Sequence, residues 1–145
     1  GALIDIIEAR KGLEMHAAAL ASERRTIEDI SNIKAILKNM RGSLNDYNAF
    51  LHHDMDFHLS IGMATKNEII IDLMEKIQKI SFNTRDTLWK TADHIEINIH
   101  SDLAKHEKLL EFIVAGDAQN ASQCIARHLD ELLERLKRGV TREKD

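Results

Sequence analysis

Apolar residues recur along this chain every three or four positions, the spacing that places side chains on one face of an α-helix. The pattern divides the sequence into six helical segments with short junctions. The first two predicted helices are residues 3–23 and 27–41. A third has Asn45 or Asp46 as its cap and reaches residue 65, and a fourth has Asn67 as its cap and reaches residue 90. The last two are residues 95–115 and 118–137. Residues 91–95 are predicted to form a turn, and the charged tail after Gly139 to be frayed.

Helix-ending signals agree with this division. Thr26 and Asp29 form the T-x-x-D pattern of a capping box. The pairs Gly42-Ser43 and Gly116-Asp117 each place a helix-terminating glycine at a junction, and Asp117 is a good cap for the last helix. We therefore predict an all-α protein, an antiparallel bundle of about six helices that forms one domain over residues 1–145.

Composition narrows the class of protein. The 145 residues include no proline, six glycines and one cysteine, with 43% apolar and 4% aromatic residues, a profile that favours long helices. A net charge of −4 gives no general affinity for nucleic acid. The single cysteine, Cys124, rules out an internal disulfide framework and fits a cytoplasmic protein. No signal-peptide pattern or membrane-length apolar run is present, so no membrane partner is expected.

Polar residues interrupt the apolar stripes of three predicted helices. The inward-facing interruptions are Asp54, His58, His106 and His128. A helix bundle brings such residues together, and three imidazoles with one carboxylate suit a borderline divalent ion, Zn²⁺ or alternatively Ni²⁺. The alternative is a set of hydrogen-bonded core histidines without a metal, and periodicity alone does not choose between them.

Further polar residues have weaker claims. Asp102 repeats with His106 the Asp-x-x-x-His spacing of Asp54 with His58, which raises a two-metal alternative, although Asp102 is predicted to lie off the apolar stripe. Arg10 falls on the stripe of the first helix, where it either reaches outward, pairs with Glu14 or faces a polar cavity. The fourth helix is predicted to point a wholly apolar stripe inward: Ile70, Leu73, Ile77 and Ile80.

The remaining histidines and the cysteine are predicted to lie outside the site. His52 and His53 flank the stripe of the third helix and are expected at the surface or its rim, and His94 lies in the predicted turn. The two at stripe edges, His16 and His100, are candidates for partial burial. Cys124 is expected to be core filler.

Signatures of catalysis are weak. The sequence has no glycine-rich phosphate loop, no nucleophile elbow and no H-E-x-x-H pattern, so we do not expect an enzyme. A metal-dependent hydrolase or lyase is the alternative, with Asp56 or Glu107 as the nearest candidate base. A third hypothesis is a purely structural dimerisation module.

Four patterns occur together in the sequence: D-x-x-F-H at residues 54–58 followed by Asn67, H…L…GD…A at 106–121, His-Leu at 128–129, and E-x-R-x-x-L-E at 8–14. Together they resemble the FadR C-terminal domain (FCD) family, the effector-binding domains of GntR-type bacterial transcription regulators. Each piece is weak alone, but the combination covers nearly the whole chain. Its six helices and ligand set are similar to the metal-containing branch of the family.

The resemblance implies a function and roles for particular residues. It implies that Asp54, His58, His106 and His128 bind the ion, and that a small organic acid binds the ion and Arg10. Asn67 matches a signature position, which implies an effector contact or simply a helix cap. The resemblance also implies a homodimer, and DNA binding through an N-terminal winged helix-turn-helix that this chain does not contain. We therefore expect a part of a longer regulator, with a naturally isolated domain as the alternative.

Overall fold

Six helices make up the computed structural model, which describes residues 2–91 and 95–144. They are α1 (Ala2–Arg24), α2 (Ile27–Arg41), α3 (Tyr47–Ala64), α4 (Glu68–Thr91), α5 (Ile95–Val114) and α6 (Ala118–Lys144). No strand occurs in these two ranges. The predicted all-α bundle is confirmed, and none of the described helices is long and apolar enough to cross a membrane.

The end of α6 departs from the prediction. The helix continues through Gly139 to Lys144, so the predicted frayed tail is wrong. Strong helix formers (glutamate, lysine, arginine and leucine) surround that glycine and offset its cost of about 1 kcal/mol. Most of the predicted turn at residues 91–95, including His94, lies outside the described residues.

The predicted junctions form as expected. Thr26 Oγ1 accepts from the Asp29 backbone N–H at 3.1 Å, and an Asp29 carboxylate oxygen accepts from the Thr26 N–H at 2.9 Å, completing the capping box. Gly116 adopts φ +72°, a left-handed conformation that glycine tolerates best, and Asp117 caps α6 through the N–H of Asn120.

Helix α1 packs against α3, α4, α5 and α6, so it forms the centre of the bundle. Alanines allow this close approach: Ala17, Ala18 and Ala21 are fully buried. Arginines at its carboxyl end fix its position. Arg24 donates to the Thr65 carbonyl at 3.0 Å, and Arg25 donates to the Ile113 and Val114 carbonyls. These carbonyls lie at the carboxyl ends of α3 and α5, where the helix dipole favours a positive charge.

The α3–α4 hairpin has a register that three contacts define. Tyr47 donates its hydroxyl to the Asp86 carbonyl at 3.0 Å, and the rings of His52 and Phe82 lie 5.0 Å apart. Gly62 lies so close to Met74 that an added Cβ would sit 3.1 Å from Met74 Cγ. The two helices therefore run antiparallel, and residue 78 of α4 lies level with residues 56–58 of α3.

The predicted inward stripe of α4 is partly wrong. Leu73 and Ile80 are 45% and 56% exposed. The buried face lies one position away and is polar at its far end: Ile70, Met74, Gln78, Ser81 and Thr84. Because apolar residues occur on both faces of α4, periodicity alone selected the wrong one.

Candidate metal centre

Three histidines from three helices meet in the interior. His58 of α3, His106 of α5 and His128 of α6 are all buried, and one nitrogen from each lies within 4.8 Å of the others. Their ring centroids are 5.2 to 6.4 Å apart. Spacing on separate stripes predicted that these residues face one core, and the bundle brings them into contact distance.

The fourth predicted residue, Asp54, lies against two of these rings. Its Oδ1 is 2.5 Å from His106 Nε2 and 3.6 Å from His58 Nε2. Asp54 is 1% exposed, so bulk water does not solvate its charge. All four predicted ligands are therefore buried in one place, although the three-nitrogen cluster is the most compact part.

The outer nitrogens of two rings are held by other groups. His106 Nδ1 lies 2.6 Å from the Asp102 carbonyl oxygen. Because a carbonyl can only accept, Nδ1 carries the hydrogen, and a ring without a second hydrogen would present its Nε2 lone pair to Asp54. His58 is held similarly, since its Nδ1 contacts Glu14 Oε1. In that state a lone pair and a carboxylate face each other, and a proton on Nε2 or a nearby cation would relieve their repulsion.

The space among the rings is small. His58, His106 and His128 line a pocket of about 10 Å³, together with Phe57 and Ile125 among others. This volume is roughly that of one water-sized sphere, so it accepts a single ion but not an organic acid. The donor set and the space both fit a metal ion.

Periodicity did not identify two residues of this centre. Glu14 contacts His58 through Oε1 and Arg10 Nε through Oε2, the latter at 2.8 Å. Asp102 was predicted to lie off the stripe, which is wrong: it is 4% exposed, and its carboxylate lies 3.9 Å from His128 Nδ1. The i, i+4 pair of Arg10 with Glu14 and the Asp-x-x-x-His spacing were the available signals.

Arg10 is fully buried rather than reaching outward. It is 0% exposed, and its Nε donates to Glu14. Within the described part of the chain, its Nη1 and Nη2 have no hydrogen-bond partner. A guanidinium with one end bound and the other unsatisfied can accept a bidentate carboxylate.

Asn67 acts as a helix cap. Its side-chain oxygen accepts from the backbone N–H groups of Ile69 and Ile70 at 3.0 and 3.1 Å. It lies near the carboxyl end of α1, where Arg24 reaches Thr65. Arg10 is 14 residues earlier on α1, which corresponds to about 20 Å along a helix.

The residues assigned outside the site mostly stay outside it. His52 is exposed and His53 half-buried, as predicted for the surface or its rim. His16 and His100 are exposed, so the partial burial considered for them does not occur. Cys124 is half-buried and packs against the core. Burial raises the pKa of the Cys124 thiol despite nearby Arg127, so it stays protonated at neutral pH and is a poor ligand.

Neither candidate base of the enzyme hypothesis faces the centre. Asp56 is exposed, and Glu107 pairs with Arg41 at the surface at 2.8 Å. A groove of about 440 Å³ between α5 and α6 does reach His128 from outside. Basic side chains line it, namely Lys105, Lys108 and Arg127. Their charge favours the approach of an anion.

Known proteins resemble this chain in sequence. The FCD domain family model matches residues 5–131. The chain is 29% identical over 127 residues to the HTH-type transcriptional regulator LutR of Bacillus subtilis, covering 86% of this chain and 57% of the relative. It is 29% identical over 140 residues to the Uxu operon regulator of Haemophilus influenzae, and this match covers 91% of this chain and 50% of the relative. The chain thus spans about half the length of these curated relatives, which are named as regulators and not as enzymes.

Solved structures show the same fold. Escherichia coli McbR/YncC superposes with a TM-score of 0.80 at 20% identity, covering 93% of this chain and 67% of that one. Streptococcus agalactiae GntR superposes with a TM-score of 0.76 at 17% identity, and the match covers 91% of this chain and 58% of that one. Since the family model matches nearly the whole chain, this protein belongs to the FCD domain family.

Proposed function

We propose that this chain is the effector-sensing domain of a GntR-type transcription regulator, and that it holds a divalent metal ion and a small carboxylate ligand. Asp54, His58, His106 and His128 would hold the ion. The ligand would bind the ion and Arg10, and would change DNA binding by an N-terminal domain outside this chain. A ligand can change DNA binding only if it binds one arrangement of the regulator more tightly than another.

The observation that carries the metal proposal is the set of three buried imidazole nitrogens within 4.8 Å of one another, with the Asp54 carboxylate against them. Charge balance supports it. Among the described residues, the buried charged side chains are three carboxylates, Glu14, Asp54 and Asp102, and one guanidinium, Arg10. This leaves a formal surplus of two negative charges in a low-dielectric interior, which a divalent cation would neutralise. Three imidazoles favour Zn²⁺, with Ni²⁺ as the alternative.

Elemental analysis of protein purified without chelator tests the ion. We expect about one equivalent of a transition metal, because four ligands define one site. Removing the ion with EDTA should lower the melting temperature, since an ion that binds only the folded state stabilises it. Metal-free protein with an unchanged melting temperature after Zn²⁺ is added would contradict the proposal and favour core histidines without a metal.

The carboxylate proposal depends on Arg10. Its unsatisfied Nη atoms offer two parallel donors, the geometry that carboxylates match. Glu14 contacts both Arg10 and His58, so the arginine lies one residue away from the proposed ion site. A small acid could therefore reach both. Asn67 lies about 20 Å from Arg10 along the bundle, so we propose capping as its role.

A homodimer is the expected assembly, and α4 offers a surface for it. Its exposed face carries a stripe of apolar side chains, Ile69, Leu73 and Ile80. Contiguous apolar side chains on a surface often mark an interface. We expect Leu73→Lys to shift the chain toward monomer in sedimentation analysis. Ile27→Lys, at an exposed apolar residue off the stripe, should not. Equal dimer content in both variants would contradict this interface.

A further inference from the structure

A buried glutamine lies on the inner face of α4, where the sequence predicted an apolar stripe. Gln78 is 0% exposed. Across the residues that the structure describes, neither its Nε2 nor its Oε1 has a hydrogen-bond partner. Ser81 follows on the same face, but its hydroxyl donates to the Gln78 backbone carbonyl at 3.2 Å and leaves the amide unsatisfied. Buried amides without partners are rare in folded proteins, and each needs an explanation.

The position of Gln78 links it to the proposed effector site. The α3–α4 register places residue 78 level with residues 56–58, and His58 is part of the metal centre. Helix α4 also packs directly on α1. Arg10 lies one turn from Glu14, which contacts His58. Gln78 and Arg10 therefore lie on neighbouring helices within about one helical turn of the same level.

Arg10 and Gln78 both have side-chain polar atoms without a hydrogen-bond partner among the described residues, but they need different partners. These atoms are the Arg10 Nη atoms on α1 and the Gln78 amide on α4. A guanidinium can only donate, so its partner must be an acceptor such as a carboxylate. An amide both donates and accepts, so a hydroxyl or carbonyl group satisfies it.

We propose that Gln78 is a specificity-determining residue of the effector site, and that it selects acids carrying a hydroxyl or carbonyl group in addition to the carboxylate. This inference rests on the proposed function, because Arg10 must hold the carboxylate. A second carboxylate is a poor match for Gln78, since Glu14 and Asp54 already place negative charge at this level. An alkyl acid is also a poor match, because it leaves the amide without a partner.

Calorimetry on the Zn²⁺-loaded chain tests the selection with three matched probes: butanoate, 2-hydroxybutanoate and 3-hydroxybutanoate. We expect wild type to bind at least one hydroxy acid about tenfold or more tightly than butanoate, the factor that one additional hydrogen bond supplies. Gln78→Met, of similar size and shape, should bring that ratio close to one while butanoate affinity changes little. Gln119→Met, at an exposed glutamine of α6, should keep the wild-type ratio.

The melting temperature of the ligand-free variant gives a second readout. Gln78→Met should melt higher than wild type, because methionine removes a buried amide that lacks a partner. A lower melting temperature with an unchanged binding ratio would make Gln78 a structural residue and overturn the proposal. Gln78→Leu repeats both measurements should the first variant fold poorly.

The outcomes separate this inference from the function on which it rests. If wild type binds all three acids equally, and Arg10→Leu abolishes that binding, the carboxylate site stands and the role of Gln78 is rejected. If wild type binds none of the acids, the proposed carboxylate site is rejected, and the selection by Gln78 with it. A ratio that survives in Gln78→Met assigns the hydroxyl contact to another residue and overturns the proposal.

Discussion

Two buried polar regions lie side by side in this bundle, and they differ in how their polar atoms are satisfied. In the candidate metal centre, imidazoles and carboxylates lie against one another, with Asp54 Oδ1 2.5 Å from His106 Nε2. In the region between α1 and α4, the outer atoms of Arg10 and Gln78 have no partner among the described residues. The first arrangement suits a small cation in a small space. The second suits a polar molecule that brings its own donors and acceptors.

The comparison explains why one bundle could serve two ligands. An unsatisfied buried polar group costs about 1–3 kcal/mol, so a fold retains it where a ligand uses it. Glu14 joins the two regions, since one of its oxygens contacts His58 and the other Arg10. The Glu14 carboxylate would then link the residue that holds the ion to the residue that holds the acid, so that binding of one ligand would alter the surroundings of the other.

The largest effect is expected for His106→Ala on the metal-loaded protein. Loss of one of four ligands should reduce metal affinity by more than about a hundredfold, since even an outer-shell change costs ten- to a hundredfold. The melting temperature should then no longer rise on addition of Zn²⁺. Competition with a chromophoric chelator measures the affinity.

His100→Ala is the matched control for that variant. His100 lies on the same helix but is exposed, so its loss should leave metal affinity unchanged. Equal metal content in the His106 and His100 variants would remove His106 from the centre. The first region would then be a hydrogen-bonded core without an ion.

Glu14→Ala should destabilise the protein by about 3–5 kcal/mol, because it leaves the buried Arg10 guanidinium without its carboxylate. The same change frees His58 Nδ1 and should weaken metal binding by about ten- to a hundredfold. Urea unfolding of the metal-free protein measures the first effect, and chelator competition the second. This variant tests whether the two regions are coupled.

Two controls interpret the Glu14 result. Glu8→Ala removes an exposed carboxylate from the same helix and should change the free energy of unfolding by less than about 0.5 kcal/mol. Adding Arg10→Met to Glu14→Ala should recover part of the lost stability, because the uncompensated charge disappears. A loss below about 1 kcal/mol for Glu14→Ala would show that water or another group reaches Arg10, and that the second region is not dry.

The meeting of the three histidines was easier to predict than the second region, for a physical reason. A histidine on an apolar stripe breaks a strong pattern, so His58, His106 and His128 were visible as interruptions. Helix bounds were predictable as well, because Thr26, Asp29 and Gly116 act through local backbone geometry. Glu14 was less visible, since an acidic residue near Arg10 also fits a surface salt bridge.

Gln78 could not be found by periodicity. Helix α4 has apolar residues on two faces, and the more apolar one, with Leu73 and Ile80, points outward. Hydrophobic patterning identifies the face that avoids water, but not whether a neighbouring helix or a second chain covers it. The polar inner face therefore became visible only from the packing of α4 against α1 and α3.

The smallest effect is expected at Asp29, a charged residue near the surface that serves as a reference for both buried regions. Burial raises the pKa of Asp29, but hydrogen bonds from Lys66 and Thr26 outweigh it and hold that pKa below its ordinary value. A depressed pKa stabilises the fold above the ordinary carboxyl value, and this contribution disappears as pH falls through the folded value. Asp29→Asn should therefore cost about 1 kcal/mol at neutral pH, typical of a cap, and progressively less below about pH 4. Urea unfolding from pH 3 to 7 measures this difference. A stability difference that stays constant over that range would mean that the charge of the Asp29 carboxylate does not stabilise the fold. A loss of unfolding free energy approaching that of Glu14→Ala would mean that charges near the surface matter as much as buried ones, and the contrast between the two would not hold.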